Sequence, residues 1–117
     1  GVDLDQSATI DEYEDGLTVT SAMKGLQVTI DNVLSAIKGG TWDAYAGEME
    51  NLGLESANPE ENYVQLPETT TQWDDNFTVD DYRDLVQRMY DGELTVSGDT
   101  TSFPETEIQA TDYGSIK

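Results

Sequence analysis

The clearest periodicity along the chain is the set Leu26, Ile30, Val33, Leu34 and Ile37, spaced i, i+4, i+7, i+8 and i+11. All five fall on one face of a helix, and Gly39-Gly40 behind them supplies the stop. A second apolar face, Tyr82, Leu85, Val86 and Met89, has the same helical spacing. Thr78 followed three residues later by Asp81 marks its start, a capping box with aspartate where glutamate is usual. Asp80 and Asp81 also suit the positive end of the helix dipole, and Asp91-Gly92 closes the element.

Around these two helices the pattern shortens to extended runs. Residues 17–20 (LTVT) are β-branched, follow the breaker pair Asp15-Gly16 and predict a strand. Residues 47–55 (GEMENLGLE) alternate loosely around two glycines and predict a weak strand. Residues 63–66 (YVQL), bounded by Asn58-Pro59 and by Pro67, predict a further short one, and residues 93–97 (ELTVS) read as strand-like. The threonines at 69–71 predict a loop. Beyond Gly98 the chain is polar, contains Pro104 and has no period, so a loose tail is expected that orders only by packing on something else.

Strand, helix, weak strands, helix, strand is an alternating order, which predicts an α/β arrangement, a short sheet covered by the two main helices. Parallel strands need both faces covered, and two helices cover both faces only of a narrow sheet. The chain is therefore expected to pair with a copy of itself or to be a fragment of something larger. Residues 1–98 form the expected α/β unit and 99–117 the polar tail.

Composition narrows the partners. The chain has 117 residues, 36% of them apolar and 9% aromatic, which suffices for one modest core with long polar loops. Five basic against 25 acidic residues give a formal charge of −20, a field that repels phosphate backbones and anionic lipid and so excludes nucleic acid as the expected partner. Most of this acidity reads as a solvated surface. Cysteine and histidine are both absent, which removes disulfides, thiolate metal sites, cysteine nucleophiles and serine-histidine triads. No apolar run is long enough to span a bilayer, so the segment is expected to be soluble as it stands.

The opening segment, GVDLDQSATIDE, supports two chemistries. In one, Asp3, Asp5, Ser7, Thr9, Asp11 and Glu14 occupy positions 1, 3, 5, 7, 9 and 12 of a calcium loop, with Ile10 where that loop takes an aliphatic residue. Against it, Ala8 stands where the sharp turn takes glycine, no entering helix precedes Asp3, and a β-like run replaces the exiting helix. In the other, Gly1-Val2-Asp3 ends a buried strand and Asp3 points out of the carboxyl edge of a sheet, where open α/β sheets bind ligands. A carboxylate there can accept hydrogen bonds from two adjacent sugar hydroxyls. Ser21 near Lys24 has the composition of a serine-lysine nucleophile, but no oxyanion motif accompanies it and no catalysis is expected. Trp42, Tyr45, Tyr63, Trp73, Phe77, Tyr82 and Tyr90 could stack on bases; core and loop anchoring is the preferred reading.

GVDLDQS, then LTVTSAMKG leading into an amphipathic helix, then GLE followed by NPEENYVQLP, resembles the carboxyl-terminal part of the basic membrane protein family of ABC-transporter substrate-binding lipoproteins, in the same motif order and from Gly1 to about Val96. The resemblance implies a type I periplasmic-binding fold, two α/β lobes closing on a ligand, with purine nucleosides as the ligand class. It implies that Asp3 holds ribose hydroxyls and that Lys24 reaches into the same cleft, with no cofactor. Family chains are much longer than this one. The remainder would supply the other lobe, the aromatic packing around the base and a lipid-bearing cysteine that anchors the complete protein outside the cytoplasm. The implied partners are a nucleoside-like small molecule, an ABC permease, and the missing amino-terminal lobe or a homo-oligomer. A small calcium-binding module and a stand-alone interaction domain remain the alternatives.

Overall fold

A computed structural model describes residues 1–99, 101, 102, 105, 107, 109, 111 and 114. The remaining positions of the tail expected after Gly98, Pro104 among them, lie outside the described residues. The elements in chain order are β1 (Val2–Asp3), the one-turn helix α1 (Ser7–Ile10), β2 (Ala22–Lys24), α2 (Leu26–Gly39), 3-10 turns at Trp42–Ala44 and Pro59–Glu61, β3 (Val64–Gln65) and α3 (Val79–Tyr90). The sheet has the order β1-β2-β3. β1 runs parallel to β2, pairing Val2 with Ala22 and Asp3 with Met23; β2 runs antiparallel to β3, pairing Met23 with Gln65 and Lys24 with Val64. A small mixed sheet with helices places the chain in the α/β class. No helix among the described residues is long and apolar enough to cross a membrane.

Both long helices stand where the periodicity placed them, because their ends are written locally. Thr78 Oγ1 accepts from the Asp81 amide and Asp81 Oδ2 accepts from the Thr78 amide, a reciprocal box at the start of α3. At its end Gly92 takes φ 76°, its N–H donates to the Met89 carbonyl, and the Glu93 N–H reaches back to the Arg88 carbonyl. α2 closes in the same manner, with Gly40 at φ 73° and the amides of Gly40 and Thr41 on the carbonyls of Ile37 and Ala36. This pair of bonds is the Schellman closure, and its left-handed position favours glycine.

Removing the box by Thr78→Ala is expected to cost ~1 kcal/mol of stability, read from the urea midpoint. The Thr78 hydroxyl and amide hold the Asp81 carboxyl below its ordinary value. The stabilisation they provide is therefore fully present above the ordinary aspartate value of 3.8 and lost as pH falls through the depressed one. Thr78→Ala should accordingly show less acid sensitivity than the wild type in a pH series of melts.

The strands depart from the sequence pattern. Residues 17–20 do not join the sheet. Their backbone is held from the side instead: the Thr18 amide donates to Asp11 Oδ1, the Val19 carbonyl accepts from the Gln72 amide, and Gln72 Nε2 donates to the carbonyls of Gly16 and Thr18. The strand forms four to five residues later, where β2 finds β1 on one side and β3 on the other. Residues 47–55 form no strand; at their end the Gly53 carbonyl accepts from the Tyr63 amide, and the amides of Glu55 and neighbouring Ser56 are captured by Asn62 Oδ1. Residues 93–97 form none either; their first amide is engaged by the end of α3. β1 is an exposed edge rather than a buried strand, with Val2 70% accessible.

The apolar stripe of α2 also looks outward. Leu26, Ile30, Leu34 and Ile37 are about half exposed, whereas the face that turns inward carries Val28, Asn32, Val33 and Ala36. Of these only Ala36 is fully buried, and Asn32 Nδ2 donates to the Tyr63 hydroxyl. α3 behaves as expected: Tyr82 and Val86 are buried, Leu85 and Met89 half-buried. Trp73 stacks on Tyr82 with ring centroids 5.5 Å apart and tilts against Phe77 at 6.2 Å. The Trp73 indole donates to the Glu68 carbonyl, and the Leu66 amide donates to the Tyr82 hydroxyl, which pins α3 beside β3. Ala36, Tyr82 and Val86, with Pro59 and Pro67, are the buried apolar side chains among the described residues, while Ser21 and Asn62 are the fully enclosed ones. Hydrogen-bonded joints therefore carry an unusual share of the tertiary order.

Candidate functional site

Asp3 and Lys24 meet at one edge of the sheet. Each is the last residue of its strand, and because β1 and β2 are parallel, both side chains issue from the same, carboxyl end. Lys24 Nζ lies 2.7 Å from Asp3 Oδ1, with the two side chains 67% and 58% exposed. An ion pair so accessible contributes about 0–1 kcal/mol to stability, so it opens at little cost and leaves a carboxylate and an ammonium for a polar ligand. The two groups are chemically complementary for that task, since Asp3 only accepts and Lys24 only donates.

The surroundings are polar and open. A groove beside Lys24 is lined by Met23, Gly25 and Gln65 and by the carboxylates of Asp31, Glu60, Glu61 and Glu68; Asp3 stands outside this lining, next to Leu4, which is part of it. The first turn of α2 opens onto it directly after Gly25, with no side chain capping the helix. The free amides of that turn bring the positive end of the helix dipole to the groove. None of the seven aromatic residues lines it. Trp73, Phe77 and Tyr82 make ring contacts beside α3, Tyr63 is half-buried against Asn32, and Trp42, Tyr45 and Tyr90 are exposed elsewhere on the surface.

The backbone at Asp3 is unusual. Its φ is 83°, the one positive value at a non-glycine position among the described residues. That region is disfavoured for residues with a Cβ, although aspartate tolerates it better than most. Nothing in the sequence pattern marks the conformation.

The other positions of the calcium-loop pattern have separate occupations. Asp5 accepts from the Ser7 amide at 3.0 Å and from the Thr70 hydroxyl at 2.6 Å. The Thr70 bond first, then the Ser7 amide, holds the Asp5 carboxyl below its ordinary value. Ser7 and Thr9 lie within α1, Asp11 accepts from the Thr18 amide at 2.9 Å, and Glu14 is exposed. The structure thus brings Asp3 together with Lys24 and does not gather Asp3, Asp5, Ser7, Thr9, Asp11 and Glu14 around a common point. Among the described residues no group of three or more carboxylates is placed to hold a metal ion.

An acceptor and a donor, ion-paired and exposed, thus stand together at the carboxyl end of a parallel strand pair. No protein-family model, curated protein or solved structure matches the chain.

Proposed function

We propose that this chain is the carboxyl-terminal α/β segment of a solute receptor of the type I periplasmic-binding class, serving an ABC transporter and recognising a purine nucleoside or a similar polar metabolite. The observation that carries the reading is the 2.7 Å approach of Lys24 to Asp3 at the carboxyl ends of adjacent parallel strands. In the complete receptor Asp3 accepts from two neighbouring hydroxyls of the ribose, and Lys24 swings from Asp3 to a ligand oxygen while keeping the carboxylate's charge balanced. No bond is made or broken in the ligand. The outward apolar stripe of α2 and the uncovered edge of β1 suit a segment whose remaining contacts come from the rest of a two-lobed protein, which closes over the ligand and excludes water. The complete receptor is held outside the cytoplasm by a lipid anchor and delivers its ligand to a permease.

The test is isothermal titration of inosine, guanosine and adenosine into the complete protein that carries this segment. Asp3→Ala combined with Lys24→Ala is expected to weaken binding at least ~100-fold, the equivalent of about 2.7 kcal/mol. Unchanged affinity in the double variant sinks the assignment. A stand-alone interaction domain is the second reading, favoured by the same half-exposed Leu26, Ile30, Leu34 and Ile37.

A further inference from the structure

We propose that Ser21 and Gln6 are the positioning residues of this site, holding Asp3 in its left-handed conformation so that its carboxylate stays beside Lys24; the inference rests on the ligand-binding reading of that pair.

A non-glycine residue at φ 83° persists only where its surroundings over-determine it. At Asp3 the determination comes from the peptide that precedes it and from the second peptide after it. Gln6 Nε2 lies 3.4 Å from the Val2 carbonyl and 3.4 Å from the Leu4 carbonyl, donating to the chain on either side of Asp3. Each bond is long and weak by itself, but together they bracket the residue. Gln6 is fixed in turn by its own backbone N–H, which donates to Ser21 Oγ at 3.0 Å.

Ser21 is the reference point. Its side chain is wholly enclosed, and it immediately precedes β2, the strand that ends in Lys24. The lock therefore registers Asp3 against the strand bearing its partner. Asp5 ties the joint to a third segment, with Oδ1 near the Ser21 hydroxyl at 3.5 Å and Oδ2 on the Thr70 hydroxyl. There is no slack around the hydroxyl: a Cβ built on Gly1 would lie 2.6 Å from Ser21 Oγ and 2.6 Å from Gln6 Cγ. Ser21 and Gln6 make their contacts with the backbone around Asp3 and none with its carboxylate, so both act on the pair through that backbone.

NMR on the labelled chain reads this directly, because the intraresidue HN–Hα NOE is strong at positive φ and weak in extended backbone. A strong NOE is expected at Asp3 in the wild type. It should fall to the level of an extended residue in Ser21→Ala and in Gln6→Ala, while the sequential amide NOEs of α2 and α3 persist. In the complete receptor the same substitutions are expected to weaken nucleoside binding ~10-fold, as the competent conformer becomes a minority. A weak NOE in the wild type, or a strong one retained in both variants, overturns the proposal. Should Ser21→Ala unfold the chain, Gln6→Ala decides by the same NOE, since that side chain is only partly buried. Loss of the NOE in a receptor that binds no nucleoside would leave the positioning role standing and remove the ligand assignment instead.

Discussion

Asn62→Ala is expected to lower the stability of this chain by about 3 kcal/mol, read as a fall in the urea midpoint. Asn62 is 2% exposed and every polar atom of its amide is engaged. Its Oδ1 accepts from the amides of Glu55 and Ser56 at 2.6 and 2.7 Å, and its Nδ2 donates to the carbonyls of Ser56 and Asn58 at 2.9 and 3.2 Å. Alanine leaves those backbone groups facing a cavity, and each buried group without a partner costs about 1–3 kcal/mol, lessened here where water can reach the loop. Asn62→Asp separates the two halves of the joint: a carboxylate keeps the acceptor for Glu55 and Ser56 and loses both donors. With its second oxygen set against the carbonyls of Ser56 and Asn58 and its charge buried, its cost at neutral pH should match or exceed that of alanine. A midpoint for Asn62→Ala indistinguishable from wild type would show that the joint contributes nothing.

The second large effect is steric. A Cβ on Gly25 would stand 2.2 Å from the Asn62 carbonyl oxygen and 3.1 Å from Tyr63 Cα, both backbone atoms that cannot rotate away. Gly25 has an ordinary φ of −73°, so conformational freedom is not the reason for glycine here; close approach is. Its N–H also donates to the Tyr63 carbonyl at 2.8 Å, continuing the β2-β3 pairing into the start of α2. Gly25→Ala is expected to cost about 3 kcal/mol by thermal or urea melting, the upper range for overpacking, and to part the two strands next to Lys24. Gly39→Ala is the control. Nothing lies within 4 Å of a Cβ there and the residue is helical, so a neutral or slightly stabilising result is expected. Equal effects at the two glycines would refute the steric account.

How much of this was legible in the sequence follows from how far each determinant reaches along the chain. The box at Thr78 and Asp81, the glycine closures at 40 and 92, and the spacing of Tyr82, Leu85, Val86 and Met89 act within a turn or two, so α2, α3 and the break at Pro67 could be read directly. The Asp3 and Lys24 candidates came from motif resemblance; that they touch came from strand pairing.

Tertiary structure decided what depends on distant partners. Residues 17–20 have better strand composition than Ala22–Lys24, yet a strand is defined by its neighbours, and the loop carrying Thr71 and Gln72 engages the former while β1 and β3 pair with the latter. The stripe Leu26, Ile30, Leu34 and Ile37 fixed a helix but not which way it faces, because periodicity specifies a face and not what covers it. Ser21 and Asn62 gave no signal as centres of order; a polar residue becomes a joint only when segments far apart in sequence present their amides to it. The sequence by itself determined the two helices and the acidic composition, and offered Asp3 and Lys24 only through a resemblance. The meeting of that pair, and the left-handed turn at Asp3 beside it, exist only once β1 lies parallel to β2.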